Sequence, residues 1–250
     1  MVGSNVRPAT FGQFPYIVSL MNLKTFGSVP LYMHFCTAAL ISKCHVISSA
    51  QCTEKIIKNE TKIHAGSLTL TNGRKYDIAW WINYNDWCQY KSRSPQFEIN
   101  DIGIIKIDSM INDIRPGIFL LSNNRDLYGK NAVIAGWGKN SNGNISNSMM
   151  SAILEFISNE TCELKIKYDI GKVIHIHERY LCTSAYYYIL IQEGDYGGPV
   201  LSDDMIIGIN KETNSLSDIP IQRRQINIHT GITYYLDFIT ETTRYNFQWQ

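Results

Sequence analysis

The chain has 250 residues, 44% of them hydrophobic, which suffices for one large domain or two small ones around a buried core. Lys and Arg number 23 against 22 Asp and Glu, so the net charge of +1 supplies no overall field for nucleic acid or an anionic membrane. No apolar run approaches the about 18 residues that a membrane-spanning helix needs, and the chain carries neither an internal repeat nor a low-complexity tract.

Met1-Val2-Gly3-Ser4 lacks the basic-then-apolar character of a secretion signal, so the chain reads as a mature or a trimmed domain. Six cysteines and three sequons, at Asn59, Asn144 and Asn159, indicate an oxidising, extracellular setting. Six cysteines permit fifteen complete pairings, and spacing does not choose among them. Lys55, Lys58 and Lys62, and the pair Arg223-Arg224, read as solvated faces.

Short β-branched runs separated by turn residues dominate from the start. Strands are expected at 14–20, 32–36, 38–42 and 45–48, then at 62–70, 77–83 and 102–107. Further on, 131–136, 151–157, 199–201, 205–209 and 225–234 have the same character. The stretch 140–148 is a loop by its Asn, Ser and Gly content. Residues 230–244 begin as strand and finish as helix, with Leu236, Phe238 and Ile239 inward. Many short strands at this spacing predict an all-β sandwich or barrel.

Three stretches carry the chemistry. Glu193-Gly194-Asp195-Tyr196-Gly197-Gly198-Pro199-Val200 resembles the Gly-Asp-Ser-Gly-Gly-Pro segment of trypsin-like serine proteases, with Tyr196 in place of the serine. Val46-Ile47-Ser48-Ser49-Ala50-Gln51-Cys52 resembles the histidine segment, with Gln51 in place of the histidine. Asn100-Asp101-Ile102-Gly103-Ile104-Ile105-Lys106-Ile107 resembles the aspartate segment and keeps Asp101. Ala135-Gly136-Trp137-Gly138 and the opening Met1–Ser4 also have counterparts, so the likeness spans essentially the whole chain. It is similar to the mite group 3 allergens, and the double loss at Gln51 and Tyr196 resembles the scabies mite inactivated serine protease paralogues.

That resemblance implies two antiparallel six-stranded barrels, approximately 1–115 and 116–250, with a short C-terminal helix. Its disulfides are Cys36–Cys52 and Cys162–Cys182; Cys44 and Cys88 are left over, as a third bridge that the family does not usually carry or as two free thiols. Catalytic residues are then none: the triad positions hold Gln51, Asp101 and Tyr196. The amides of Gly194 and Tyr196 stand at the oxyanion positions, and Asp195 is placed to receive the α-amine of Met1. The degenerate specificity pocket comprises Leu190 as its floor, Gln192 where a stapling cysteine belongs, Lys211, Glu212 and Thr213 in place of the substrate-pairing Ser-Trp-Gly, and Gly231.

A serine or phenol hydroxyl attacks only when a base takes its proton, and Gln51 offers no such base. Relocated bases are not apparent: His34 reads as a packed residue, His45, His64 and His229 lack acid or nucleophile neighbours, and His175 with His177 reads as a surface pair without a third ligand. Asp101 is expected to be a buried acid satisfied by backbone hydrogen bonds. Tyr186-Tyr187-Tyr188, as a strand, places two tyrosines on one side and one on the other; ordinary barrel packing is the first reading and an interface anchor the second. The expected protein is a secreted pseudoenzyme without cofactor or metal, located by resemblance in the mite gut and faeces. Its expected partners are host complement proteins, which it would inhibit; nucleic acid and membrane are excluded. The alternatives are a decoy for protease inhibitors or peptides, and a hydrolase of unorthodox chemistry.

Overall fold

A computed structural model describes residues 1–26, 29–95, 99–171, 173–211 and 226–249. The N-terminal arm contributes β1 (Val2–Gly3) and β2 (Arg7–Pro8), and both pair with strands of the C-terminal half. A closed antiparallel barrel follows, built from β3 (Ile17–Phe26), β4 (Val29–Leu40), β5 (His45–Ser48), β6 (Thr61–Ala65), β7 (Arg74–Asn83) and β8 (Gly103–Ile107). Closure leaves no sheet edge open, and Val18, Leu20, Ala38, Leu40, Ile63, Ile82 and Ile104 are wholly excluded from solvent.

Residues 32–36 and 38–42, expected as two strands, lie largely in the single strand β4. A bulge divides its pairing with β3: Leu20 faces Cys36 while Met21 faces His34, which leaves Phe35 as the extra residue. Strand 62–70 is shorter than expected because Gly66 adopts φ +83° and ends β6 at Ala65.

The second barrel comprises β9 (Asn131–Gly136), β10 (Met150–Ile157), β11 (Tyr180–Ser184), β13 (Pro199–Ser202), β14 (Met205–Asn210) and β15 (Ile226–Gly231), with β12 (Ile189–Leu190) paired to β1 outside it. Its ring closes through β10 and β11, where Ile157 faces Cys182.

Helix α1 (Ala50–Thr53) is capped by Ser49, whose hydroxyl accepts from the Cys52 amide. Two helices were not legible in the sequence. One is α2 (Tyr84–Tyr90), capped by Asn83 and burying Trp87 and Cys88. The other is α3 (Asn159–Ile170), capped by Ser158 and ended by Gly171 at φ +69°. Helix α4 (Leu236–Thr242) forms where a C-terminal helix was expected, with Phe238 and Ile239 buried. Trp87 and Tyr84 of α2 both lie 5.6 Å from the Phe238 ring, so the two helices dock through aromatics. None of the helices among the described residues is long and apolar enough to cross a membrane.

Disulfides join Cys36 to Cys52 and Cys162 to Cys182. The third pair is a correction: Cys44 and Cys88 are both free. Cys44 sits before β5 with its Sγ 3.6 Å from His45 Nδ1, whereas α2 buries Cys88 beside the Tyr84 hydroxyl. An inserted helix that packs toward α4 gives the second thiol its own separate environment.

Candidate functional site

The loop from Gln192 to Gly198 lies between the two barrels and is held from both sides. Thr37 of β4 donates its amide to the Tyr196 carbonyl at 3.0 Å and its hydroxyl to the Gly194 carbonyl at 2.7 Å. Asn210 of β14 donates Nδ2 to the Asp195 carbonyl at 3.2 Å and accepts the Gly197 amide at 2.8 Å. Space fixes the glycines: a Cβ on Gly197, where φ is +78°, would stand 2.0 Å from Ser48 Oγ, and one on Gly138 would lie 2.2 Å from the Asp195 carboxyl carbon.

Asp195 is fully buried and its carboxylate is saturated. Oδ1 accepts the Gly138 amide at 2.8 Å; Oδ2 accepts the Gln192 amide at 3.0 Å and lies 2.5 Å from the Met1 amine. The amine expected from the sequence is therefore present, and two backbone amides join it. Gly194 has φ +95°, and its carbonyl also accepts from His34 Nε2 at 2.9 Å. Since a carbonyl only accepts, Nε2 carries the proton, and Nδ1 accepts from the Ser19 hydroxyl at 2.7 Å. Burial lowers the His34 pKa to about 4, so this imidazole is neutral at physiological pH.

Gln51 and Asp101 adjoin as the sequence segments imply. The Gln51 backbone amide donates to Asp101 Oδ1 at 3.1 Å, so α1 and the segment entering β8 are joined through this acid. Asp101 is only 3% exposed, yet its Oδ2 has no hydrogen-bond partner among the described residues. The backbone satisfaction expected for it reaches one oxygen, not both. Oδ2 instead faces Lys211 Nζ at 3.7 Å, an ion pair too long for a hydrogen bond. Gln51 Oε1 is buried and likewise unpartnered among the described residues. Tyr196 is half-buried, and its ring packs against apolar clusters of both barrels, including the one that contains Met1, Ile189 and Ile191.

Leu190 is buried in β12 opposite Val2, and Asn227 holds the neighbouring backbone by donating Nδ2 to the Ile189 carbonyl and accepting the Ile191 amide. Gln192 stands half-buried next to the Asp195 loop. Gly231 ends β15 opposite Gly208, its amide donating to the Arg179 carbonyl at 2.8 Å. Glu212 and Thr213 lie outside the described residues, as do Arg223 and Arg224.

A polar chain behind the loop escaped the sequence reading. Thr183 Oγ1 bonds His229 Nε2 at 2.8 Å, His229 Nδ1 donates to Asn210 Oδ1 at 3.0 Å, and Asn210 Nδ2 reaches the Asp195 carbonyl. All four residues are fully excluded from water, and burial lowers the His229 pKa to about 3. His229 therefore orients a neutral network and does not serve as a base. A histidine and an asparagine on adjacent strands were the available signal, but only the β14–β15 register, with Asn210 opposite His229, brings them together.

The other histidines lie elsewhere. His45 and His64 are buried with lowered pKa values, each chiefly through desolvation. His175 is 92% exposed and pairs with Glu163 at 2.9 Å. No group of three or more His, Cys, Asp or Glu able to hold a metal occurs among the described residues. Tyr186 is 95% and Tyr187 59% exposed, so more than one of the three tyrosines faces outward.

Comparison with known proteins places this geometry. Chymotrypsin-2 of Vespa crabro is 28% identical over 244 residues, covering 96% of this chain and 98% of the relative. Trypsin epsilon of Drosophila erecta is 28% identical over 235 residues, covering 92% and 83%. Among solved structures, neuropsin, a serine protease expressed in the limbic system of mouse brain, superposes with a TM-score of 0.73 at 20% identity and covers 98% of this chain and 100% of its own; it speaks for the fold alone. The family model described as Trypsin matches residues 4–239, and the chain belongs to the trypsin family of serine proteases.

Proposed function

We propose that this chain is a catalytically inert member of the family, a pseudoenzyme that acts by binding protein. The carrying observation is the surroundings of Asp101. Where a base would be oriented by that acid, Gln51 supplies a carboxamide whose nitrogen lone pair is delocalised and does not take up a proton near neutrality. Tyr196 carries a phenol in place of the hydroxymethyl nucleophile, and its half-buried ring is committed to packing. Loss of base and nucleophile together removes the covalent route; in an unrelated protease fold, single triad losses cost up to about a millionfold in turnover.

The partner class rests on resemblance to the inactivated mite paralogues: host complement proteins, bound and inhibited by a secreted protein of the mite gut and faeces. The two disulfides and the exposed tyrosines at 186 and 187 accord with an extracellular protein that binds through its outer surface. A second reading, a decoy for protease inhibitors or peptides, draws on the Gly194 turn, whose φ and held carbonyl keep the oxyanion-site backbone in place despite Tyr196.

The test is hydrolysis of a broad fluorogenic peptide library and labelling by a serine-directed fluorophosphonate, alongside complement haemolysis and pull-down from serum. Silence in the first two with dose-dependent inhibition in haemolysis is expected. Turnover that survives purification overturns the inert reading. No effect on haemolysis at saturating protein removes the complement assignment, and tight binding of protease inhibitors then favours the decoy.

A further inference from the structure

The lysine facing the remaining acid of the triad positions has a consequence for the chemistry of the cleft. We infer that Lys211 is a third element of the catalytic loss: its ammonium is ion-paired, at 3.7 Å, with the one carboxylate oxygen that an imidazole at position 51 would need. Restoring base and nucleophile alone therefore does not restore a working site. This rests on the inert reading above and specifies how that inertness is built.

Asp101 has two oxygens to offer. Oδ1 is committed to the backbone amide of Gln51, a bond that persists whatever side chain stands at 51. Oδ2 alone remains to hold an imidazole in the tautomer and orientation that proton transfer requires. Lys211 Nζ stands 3.7 Å from it, on a side chain only 12% exposed.

The lysine is held in place. Its amide donates to the Ile228 carbonyl of β15 at 3.4 Å, and Nζ lies 5.7 Å from the Tyr180 ring centroid. Tyr180 is fixed in turn, its hydroxyl donating to the Ile99 carbonyl at 2.6 Å. These contacts set the lysine between β11, β15 and the acid, where little water screens its charge.

Two effects oppose a histidine introduced at 51. The ammonium competes for Oδ2, and a positive charge close by disfavours the imidazolium that a base must become when it takes the nucleophile's proton. A glutamine tolerates this neighbour because its amide stays neutral throughout. A change of about one pH unit in the imidazole's proton affinity corresponds to about tenfold in the protonated fraction.

The experiment compares fluorophosphonate labelling rates in three variants: Gln51→His with Tyr196→Ser, the same pair with Lys211→Ser, and the same pair with Lys211→Arg. The reagent phosphonylates the serine oxygen and expels its own leaving group, so the readout is the serine–histidine chemistry and not the peptide pocket. We expect the Lys211→Ser triple variant to label roughly tenfold or more faster than the double variant, and the Lys211→Arg triple variant to stay as slow as the double.

Equal rates in the double and Lys211→Ser variants, whether fast or undetectable, overturn the inference. Labelling of the unsubstituted protein instead strikes the inert reading on which it stands, so the two failures are distinguishable. Should a triple variant not fold, urea unfolding of Asp101→Asn, Lys211→Met and their combination in the unsubstituted background decides. Non-additive losses, with the combination milder than the sum, are expected from an ion pair that claims Oδ2; strictly additive losses overturn it.

Discussion

His34 Nε2 donates to the carbonyl of Gly194 at 2.9 Å, joining the bulged strand of the first barrel to the loop that carries Tyr196. The ring is neutral because burial disfavours its charge, which leaves Nδ1 to accept from the Ser19 hydroxyl. Protonation would place a poorly solvated charge in the interior, and the Met1 ammonium also opposes it.

Stability should therefore fall in mild acid. The His34 pKa is lowered from the ordinary 6.5 to about 4, chiefly by burial, and His45 to about 4 likewise. Between those values the unfolded chain binds protons that the folded chain refuses, so this stability is fully present above pH 6.5 and is lost as pH falls toward 4. His34 alone contributes on the order of 3 kcal/mol to that loss. Urea unfolding at pH 7 and pH 4.5 measures it, and a protein equally stable at both contradicts this account.

Gly197→Ala should be among the most damaging single changes. The added methyl meets Ser48 Oγ and the Thr37 carbonyl at a backbone with φ +78°, so the steric and conformational penalties combine. A loss of roughly 2 to 4 kcal/mol in chemical denaturation is expected, against less than about 0.5 kcal/mol for an alanine at Gly143, whose surroundings are open, beyond the cost of its own positive φ.

Thiol titration of the denatured, unreduced protein should find two free groups, Cys44 and Cys88. In the native protein Cys44, half-buried, should react first. Cys88 is buried and its thiol pKa is raised chiefly by desolvation, which keeps the reactive thiolate scarce. A count of zero would restore the third bridge.

Of the three sequons, Asn59 and Asn144 are exposed, whereas Asn159 donates Nδ2 to the carbonyls of Ile176 and His177 at 3.2 and 3.3 Å and buries Oδ1. Protein from a secretory host should carry glycan at Asn59 or Asn144, with the Asn159 peptide unmodified by mass spectrometry. Full occupancy of Asn159 would show that this contact does not form.

Trp87→Ala should cost about 3 to 5 kcal/mol, the range for a fully buried large aromatic. It should combine non-additively with Phe238→Ala, because the two rings are 5.6 Å apart. Additive losses would mean that α2 does not dock on α4 through this pair.

Most strands were legible because they are short β-branched or apolar runs between turn residues: β10 alternates with period two, whereas β5, β13 and β15 are buried on both faces and read as continuous runs. Helix α3 was not, since of its apolar side chains among the described residues Cys162 and Ile166 are buried while Leu164 and Tyr168 face water. A disulfide and end caps hold it, and neither gives an apolar stripe. Helix α2 is seven residues long and owes its place to aromatic contacts with a segment about 150 positions later, as the Lys91–Glu241 hydrogen bond, 150 residues apart, illustrates.

What the sequence determined by itself was the family scaffold and the residue types that stand in its three motif segments. Gly194, Gly197 and Gly198 keep the nucleophile loop because only a residue without Cβ fits each site, and Gln51 and Tyr196 declare their chemistry by type. The tertiary structure alone decided which partner each remaining polar group takes. Lys211 stands 110 positions from Asp101 in the chain, and no periodicity relates them; barrel closure brings β14 beside the segment entering β8 and sets an ammonium against a buried carboxylate. Local patterns encode burial and backbone geometry, whereas pairing of charges across two barrels depends on distances that exist only once both have closed.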